Sequence, residues 1–285
     1  MLTIGAHVSI TGGYEKALER ASSIGATCAQ MFSASPRIWS TAGPKQSTPS
    51  RFLEAAAKLS ISPLYFHATY LINLASDGKI AELSKQTLIR ELQLASDMNV
   101  AGSVIHLGSY KDTNGDMLFD QKDALYKKMI ENIQHILTET PSNTLFIIEN
   151  AGNRKIGRTI EELGSIVKDV QSHRIKICLD TCHLHAAGYS LETETEYESL
   201  LETFDQTVGL HNLALIHLND SKDKRGSYRD RHENIGRGQI PQEVFIHLLM
   251  DKRLNHIPFI LEVPGYDKKG PDKQNVDYVK QLVSV

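Results

Sequence analysis

Cysteine is scarce in this chain, with three residues in 285. So small and odd a number excludes a disulfide framework and points to a reducing compartment, here the cytoplasm. Long apolar runs are missing as well: none approaches the roughly 20 residues that a membrane-spanning helix needs. The opening segment, MLTIGAHVSI, lacks both a basic start and a long apolar stretch, so no signal peptide is expected. No stretch rich in proline, glycine and serine divides the sequence, and one domain over residues 1–285 is expected. A surplus of basic charge is also absent. The formal net charge is −3, so a nucleic-acid partner would have to be held by locally placed cations. With 41 % hydrophobic and 23 % charged residues, the remainder is the composition of an ordinary soluble globular protein.

Short apolar runs alternate with longer amphipathic ones. The strand-like runs are 2–9, 28–34, 63–70, 102–108, 144–151, 175–181, 213–220 and 258–265. Apolar residues at three- and four-residue spacing predict helices over 12–25, 49–60, 80–99 and 121–139. TIEELGSIVKDV opens with a Thr-x-x-Glu pattern that suits a helix N-cap at Thr159. Eight β–α alternations in a chain of this length predict a single-domain α/β fold, a (β/α)₈ or TIM barrel, rather than an open sheet. The widest irregular stretch, about 220–240, is long enough to suggest a functional loop.

Acids and imidazoles fall at matching places. His67, His106, Glu149, Asp180, His217 and Glu262 end the third to eighth strands; His183 lies just past the sixth, and Asp230 and His232 follow the seventh. All nine therefore belong to the C-terminal face of the barrel, where barrel active sites are built. Strand alternation places Val104 beneath His106, Ile147 beneath Glu149 and Leu215 beneath His217. Each residue alone has a plainer explanation: a packed histidine, an acid paired with arginine, or Asp180 capping the next helix. Together they would crowd four carboxylates at one rim, which repel unless cations neutralise them. Imidazole and carboxylate suit zinc, with manganese or iron also compatible. In CLDTCHLHAAG, residues 178–188, Asp180 and His183 are read as ligands of different metals. Cys178 is read as barrel filling, and Cys182 and His185 as packing residues. His7 is expected to support the ligands or touch substrate. His135, His173, His211, His247 and His256 are read as surface or structural residues.

Several longer stretches, spread along nearly the whole chain, carry a resemblance. CLDTCHLHAAGY, IHLNDSK (216–222), DRHENIG (230–236), GAHVSITGG, HATYLINLAS, IIENAG and ILEV resemble motifs of the endonuclease IV family of apurinic/apyrimidinic endonucleases. The resemblance implies a barrel with three zinc ions, manganese or iron being possible at one site. It implies that His67, His106 and Glu149 hold the first ion, that Glu149 bridges to a second held also by Asp180, His217 and Glu262, and that His183, Asp230 and His232 hold the third. Glu149 and Glu262 are the residues expected to act in catalysis.

The reaction so implied is hydrolysis of the phosphodiester 5′ to an abasic site in duplex DNA, leaving a 3′-hydroxyl and a 5′-deoxyribose phosphate, as in base excision repair. A hydroxide bridging two metals would attack, and 3′-end trimming is a further activity compatible with the site. A monomer is expected. The loop SKDKRGSYRDRHENIGRG has six Lys/Arg against three Asp/Glu and would steer phosphate. By resemblance, Arg37, Tyr70 and Leu71 would wedge into the duplex at the lesion; they could equally be loop anchors. Two other functions remain open: a metal-dependent sugar isomerase or epimerase on the same barrel, and a damaged-DNA binder that does not cut.

Overall fold

The strand-like runs that end in acids and histidines close into one parallel barrel in the computed structural model, which describes residues 2–39, 43–44, 47–110 and 122–283. The barrel strands are β1 (Ile4–His7), β2 (Cys28–Phe32), β3 (Leu64–His67), β4 (Gly102–Ile105), β5 (Leu145–Glu149), β6 (Ile175–Asp180), β7 (Leu213–His217) and β10 (Phe259–Leu261). Each pairs with its neighbours in chain order, and β10 returns to β1 to complete the ring. The strands are shorter than the apolar runs that announced them, because several runs continue into the loops that follow.

Around the barrel lie α1 (Tyr14–Ser23), α2 (Pro49–Leu59), α3 (Gly78–Asp97), α4 (Lys122–Thr138), α5 (Ile160–Val170), α7 (Glu194–Thr207), α8 (Gln242–Met250) and α9 (Lys273–Gln281). A short extra helix, α6 (Thr181–Ala187), starts directly from the end of β6. The helix expected over 121–139 is described over Lys122–Thr138; Gln121 lies outside the described residues, as do Met1 and Ser40. The expected long loop after β7 is partly ordered by a two-stranded antiparallel hairpin, β8 (Asp220–Ser221) with β9 (His232–Glu233). Among the described residues no helix is long and apolar enough to cross a membrane.

Alternation along each strand builds two layers. The barrel interior is filled by Cys28, Tyr65, Val104, Ile147, Cys178, Leu215 and Ile260, one from each strand except β1. At that position β1 has Gly5, where a Cβ would run into the Cys28 thiol and carbonyl. The opposite strand faces, among them Ile105, Phe146, Ile148, Ile177 and Phe259, pack against the helices. Two positions along each strand from the filling layer, the same inward face carries His7, Gln30, His67, His106, Glu149, Asp180, His217 and Glu262. The packed layer below therefore supports the polar rim above.

Local chemistry starts the helices. Thr159 caps α5 as expected, its hydroxyl accepting the Glu162 N–H at 3.2 Å. The Glu162 carboxylate does not return to Thr159. It accepts the Gly157 and Arg158 N–H groups at 2.9 and 3.1 Å and so orders the preceding loop. The complete reciprocal capping box lies instead at Thr193 and Glu196, at the start of α7.

Candidate metal centre

Six of the nine ligand-type residues line one open cleft of about 540 Å³ at the C-terminal end of the strands, and Glu149, Asp180 and His217 lie buried in contact with them. The nine form three groups, two of which share Glu149. Glu149 is fully buried between two of them. Its Oε2 lies 3.3 Å from His67 Nε2 and 3.2 Å from His106 Nε2. Its Oε1 lies 3.2 Å from His217 Nδ1, an atom that is also 3.8 Å from Asp180 Oδ2 and 3.5 Å from Glu262 Oε2. In the third group, Asp230 Oδ1 is 3.0 Å from His183 Nε2 and 3.5 Å from His232 Nε2.

Hydrogen bonds on the far side of the rings decide which nitrogen faces inward. His67 Nδ1 donates to the Ala68 carbonyl at 2.8 Å, and His183 Nδ1 to the Asn150 carbonyl at 2.9 Å, when each carries its proton there. His217 is turned the other way, with Nε2 2.9 Å from Gln30 Oε1. A proton on each of these nitrogens leaves the lone pair of the other pointing into the cluster, as metal-ligating histidines are arranged, although His183 Nδ1 also lies 3.1 Å from Glu149 Oε1. His183 Nε2 and His232 Nε2 are buried and face only carboxylate oxygens, without a well-formed hydrogen bond. Buried polar nitrogens are rarely left so, and a shared cation would satisfy both. The donor set, imidazole with carboxylate and no thiolate required, fits zinc and similar divalent ions.

Without cations the acids and imidazoles perturb one another strongly. Burial pushes Glu149 up, but charge on His106 and His217 and hydrogen bonds from His183 and His217 outweigh it and hold the carboxyl well below its usual range. Glu262 is likewise held low against burial by His217 and His7. Burial raises Asp180. Burial favours neutral His183, yet the surrounding carboxylates raise it well above an ordinary histidine; His217 is raised too, against burial, with Cys178, Glu262 and Glu149 as the causes. His106, where burial dominates, falls to about 4. Raised imidazoles beside lowered carboxylates favour ion pairs across the rim, and a bound cation competes with the imidazole protons.

The remaining residues named from sequence are placed as follows. Cys178 fills the barrel interior with its thiol pushed up to about 12 by burial. Cys182 is also buried, and lies close enough to Asp180 and His232 to count among their possible co-ligands, but burial holds its thiol protonated, at about 12. His185 Nε2 lies 3.2 Å from the Asp223 carbonyl and anchors the loop after β7. His7 Nδ1 lies 3.0 Å from Glu262 Oε1 and lines the cleft. Tyr70 stands at the cleft wall, 59 % exposed, and Leu71 is half-buried beside it. Their loop is tied to that of Arg37: Thr69 Oγ1 donates to the Pro36 carbonyl at 2.6 Å, and Tyr70 N–H reaches the same oxygen at 3.3 Å. Four of the six cations of the long loop have acidic neighbours. Arg225 pairs with Glu192, Arg229 and Arg231 with Asp223, and Lys222 approaches Glu233.

Gln30 was not singled out from sequence, yet it holds the rim together. Its amide nitrogen donates to Glu262 Oε1 at 2.6 Å while its oxygen faces His217. The signal was present: within CAQMF it is the one strongly polar side chain, on the inward face of β2. Asn219 was also missed; its Nδ2 donates to Asp180 Oδ2 at 2.6 Å, and its Oδ1 accepts the Glu262 N–H at 2.8 Å.

Comparison with known proteins agrees in fold and in family. The chain is 32 % identical over 287 residues to the "Probable endonuclease 4" of Persephonella marina, covering 99 % of this chain and 98 % of that one. The chain belongs to the endonuclease IV family. Residues 18–282 match the Xylose isomerase-like TIM barrel family. The crystal structure of endonuclease IV from Thermus thermophilus superposes with a TM-score of 0.83 at 29 % identity, covering 99 % of this chain and 98 % of that one. A D-tagatose 3-epimerase-like protein shares the fold, with a TM-score of 0.74 at 19 % identity and 98 % and 97 % coverage. At that identity the likeness extends to the barrel alone.

Proposed function

We propose that this endonuclease IV family member is a metal-dependent apurinic/apyrimidinic endonuclease that hydrolyses the phosphodiester 5′ to an abasic site in duplex DNA, with three zinc ions at the rim. The observation that carries the reading is the third group. His183 and His232 turn two buried nitrogens toward one oxygen of Asp230, at 3.0 and 3.5 Å, beside the pair of groups bridged by Glu149. Isomerisation or epimerisation of a sugar commonly needs one or two metals, and leaves that third group without a role.

His67, His106 and Glu149 would hold one ion, Glu149, Asp180, His217 and Glu262 a second, and His183, Asp230 and His232 a third. Bound there, the ions would supply Lewis acidity for the phosphoryl oxygens and a water of lowered pKa. The chain's own part is placement. Glu149 turns one oxygen to each of two groups and so fixes their separation. Gln30 and His7 hold Glu262 by hydrogen bonds, and Asn219 holds both Asp180 and Glu262. Such supports keep ligands in position through the charge changes of a reaction. The cleft is open to solvent and exposed Tyr70 is part of its wall, so a duplex can approach the rim.

The test is incubation of the metal-loaded protein with a duplex carrying one abasic analogue. Incision with a 3′-hydroxyl end, lost on chelation, is expected, together with close to three divalent ions per chain by elemental analysis and about one fewer in a His183→Ala, His232→Ala variant. A single ion in the wild-type protein, or epimerisation of a ketose without incision, would overturn the proposal.

A further inference from the structure

The loop between β5 and α5 carries Arg154, Lys155 and Arg158, a basic cluster outside the long loop already considered. Its backbone is fixed against the metal rim. Ile156 N–H donates to the Gly108 carbonyl at 3.0 Å, just beyond His106, and Ala151 N–H donates to the Gly157 carbonyl at 3.0 Å. Gly152 passes so near His183 that a Cβ there would lie 2.9 Å from its Cα and its Cδ2. Glu162 takes up two further N–H groups of the loop, at Gly157 and Arg158.

The backbone is thus held, and the long side chains are left over. Arg154 is exposed, and Lys155 and Arg158 are half-buried. Among the described residues no carboxylate forms an ion pair with any of the three, whereas four cations of the loop after β7 have acidic neighbours. Lys155 is close enough for its charge to act on His106. Arg158 faces Tyr228, its Cζ 5.4 Å from the ring centroid. Tyr228 is exposed and left-handed, with φ 55°, a conformation costly for an aromatic residue and found mainly where surrounding structure enforces it. Here Tyr228 N–H is held by the Ala186 carbonyl at 3.0 Å, at the end of the helix that carries His183, and Asp230 follows two residues later. The Arg158–Tyr228 contact therefore joins two loops directly beside the His183, Asp230 and His232 group.

We propose that Arg154, Lys155 and Arg158, with Tyr228 bracing Arg158, form a phosphate track that grips the backbone of duplex DNA next to the bond to be cut. This rests on the nuclease reading above and adds the surface that such an enzyme needs. A chain of net charge −3 must attract DNA through local cations, and three without acidic partners, on a loop held against the rim, are better placed than those already paired. A guanidinium stacked on an aromatic face keeps its N–H edges free and oriented for a phosphate. Such contacts set position and salt dependence and carry no base preference.

The experiment uses the metal-loaded protein and an intact duplex of about 20 base pairs, which binds without being cut. Affinity is measured across a series of salt concentrations for the wild type and for an Arg154→Gln, Lys155→Gln, Arg158→Gln variant. Removal of one cation from a phosphate should flatten the plot of log K against log salt concentration by about 0.9. The variant should therefore show a slope shallower by roughly 2–3, with unchanged metal content and unfolding temperature. An unchanged slope in the variant, with a wild type that binds and cuts, would overturn the track and leave the nuclease reading standing. A wild type with no salt-dependent binding and no incision of an abasic duplex would overturn both.

Discussion

Asp180 and His183 are joined by the hydrogen bond that starts α6: Asp180 Oδ1 accepts the His183 N–H at 2.8 Å. The other oxygen, Oδ2, faces inward, 3.8 Å from His217 Nδ1 and 3.5 Å from His232 Nε2. One carboxylate therefore caps a helix and contributes to the rim, and the two roles separate by substitution. Asp180→Asn keeps a good cap and loses the charge; Asp180→Ala loses both. Both variants should retain fewer divalent ions than the wild type by elemental analysis. After chelation the alanine variant should be the less stable of the two by about 1 kcal/mol in urea unfolding. Equal stability of the two would show that the cap contributes nothing.

Glu149→Gln should fold and be nearly inactive. The amide keeps the shape of the side chain but removes the charge that both neighbouring groups share, and one of its ends becomes a donor facing imidazoles. A loss of roughly 3–5 kcal/mol of transition-state stabilisation corresponds to a fall in rate of about 10²–10⁴-fold. Initial rates on an abasic duplex, normalised to bound metal, would measure it. Near-normal turnover with metals retained would remove Glu149 from the bridging position.

Glu91 of α3 gives a pH test away from the rim. It is buried and accepts hydroxyl hydrogen bonds from Ser33 and Ser103. Burial raises its carboxyl above the ordinary 4.5, against the pull of those two bonds. A carboxyl with a raised folded-state pKa contributes stability that is complete below the unfolded value and is lost as pH rises through the folded value. Glu91→Gln does not titrate. The stability of this variant relative to the wild type should therefore improve as pH rises above about 4.5, the value for the unfolded chain. Urea midpoints of both proteins at several pH values supply the difference; one that is flat with pH would show that Glu91 is not raised.

Alternation made much of the rim legible in advance. His106, Glu149 and His217 follow apolar residues of the same parity, and a filled barrel leaves such strand ends no direction but inward. Gln30 obeys the same rule, but a neutral amide is an uncommon ligand for zinc and does not stand out among acids and histidines. The pairing of the cations in the long loop was not legible for a different reason. Composition counts Arg225, Arg229 and Arg231, but their pairing depends on where Glu192 and Asp223 arrive in space. Arg154, Lys155 and Arg158 carry no periodic pattern and match no motif; only the folding of their loop over His183 gives them a place.

Tyr70 and Leu71 provide the test of lesion choice. Tyr70 stands above Phe32 and His67, with ring centroids 5.4 and 6.1 Å away, and its loop is tied through Pro36 to the one bearing Arg37. Side chains supported from below and exposed above are suited to insertion. An abasic nucleotide offers no base edge to read, so hydrogen-bond recognition has nothing to act on. It also has no base to unstack, so turning it out of the helix costs less than turning out an intact nucleotide. Inserted side chains would fill the gap and hold the bend, converting that lower cost into selectivity. Tyr70→Ala with Leu71→Ala should then lose much of the preference for abasic over intact duplex, with metal content unchanged. The quantity to compare is the ratio of kcat/KM on matched duplexes at one salt concentration, since phosphate contacts make affinity salt-dependent. A double variant that keeps the wild-type ratio would reduce these residues to loop anchors. Selectivity would then have to come from the metal cleft itself, admitting a sugar without a base and rejecting one that carries it.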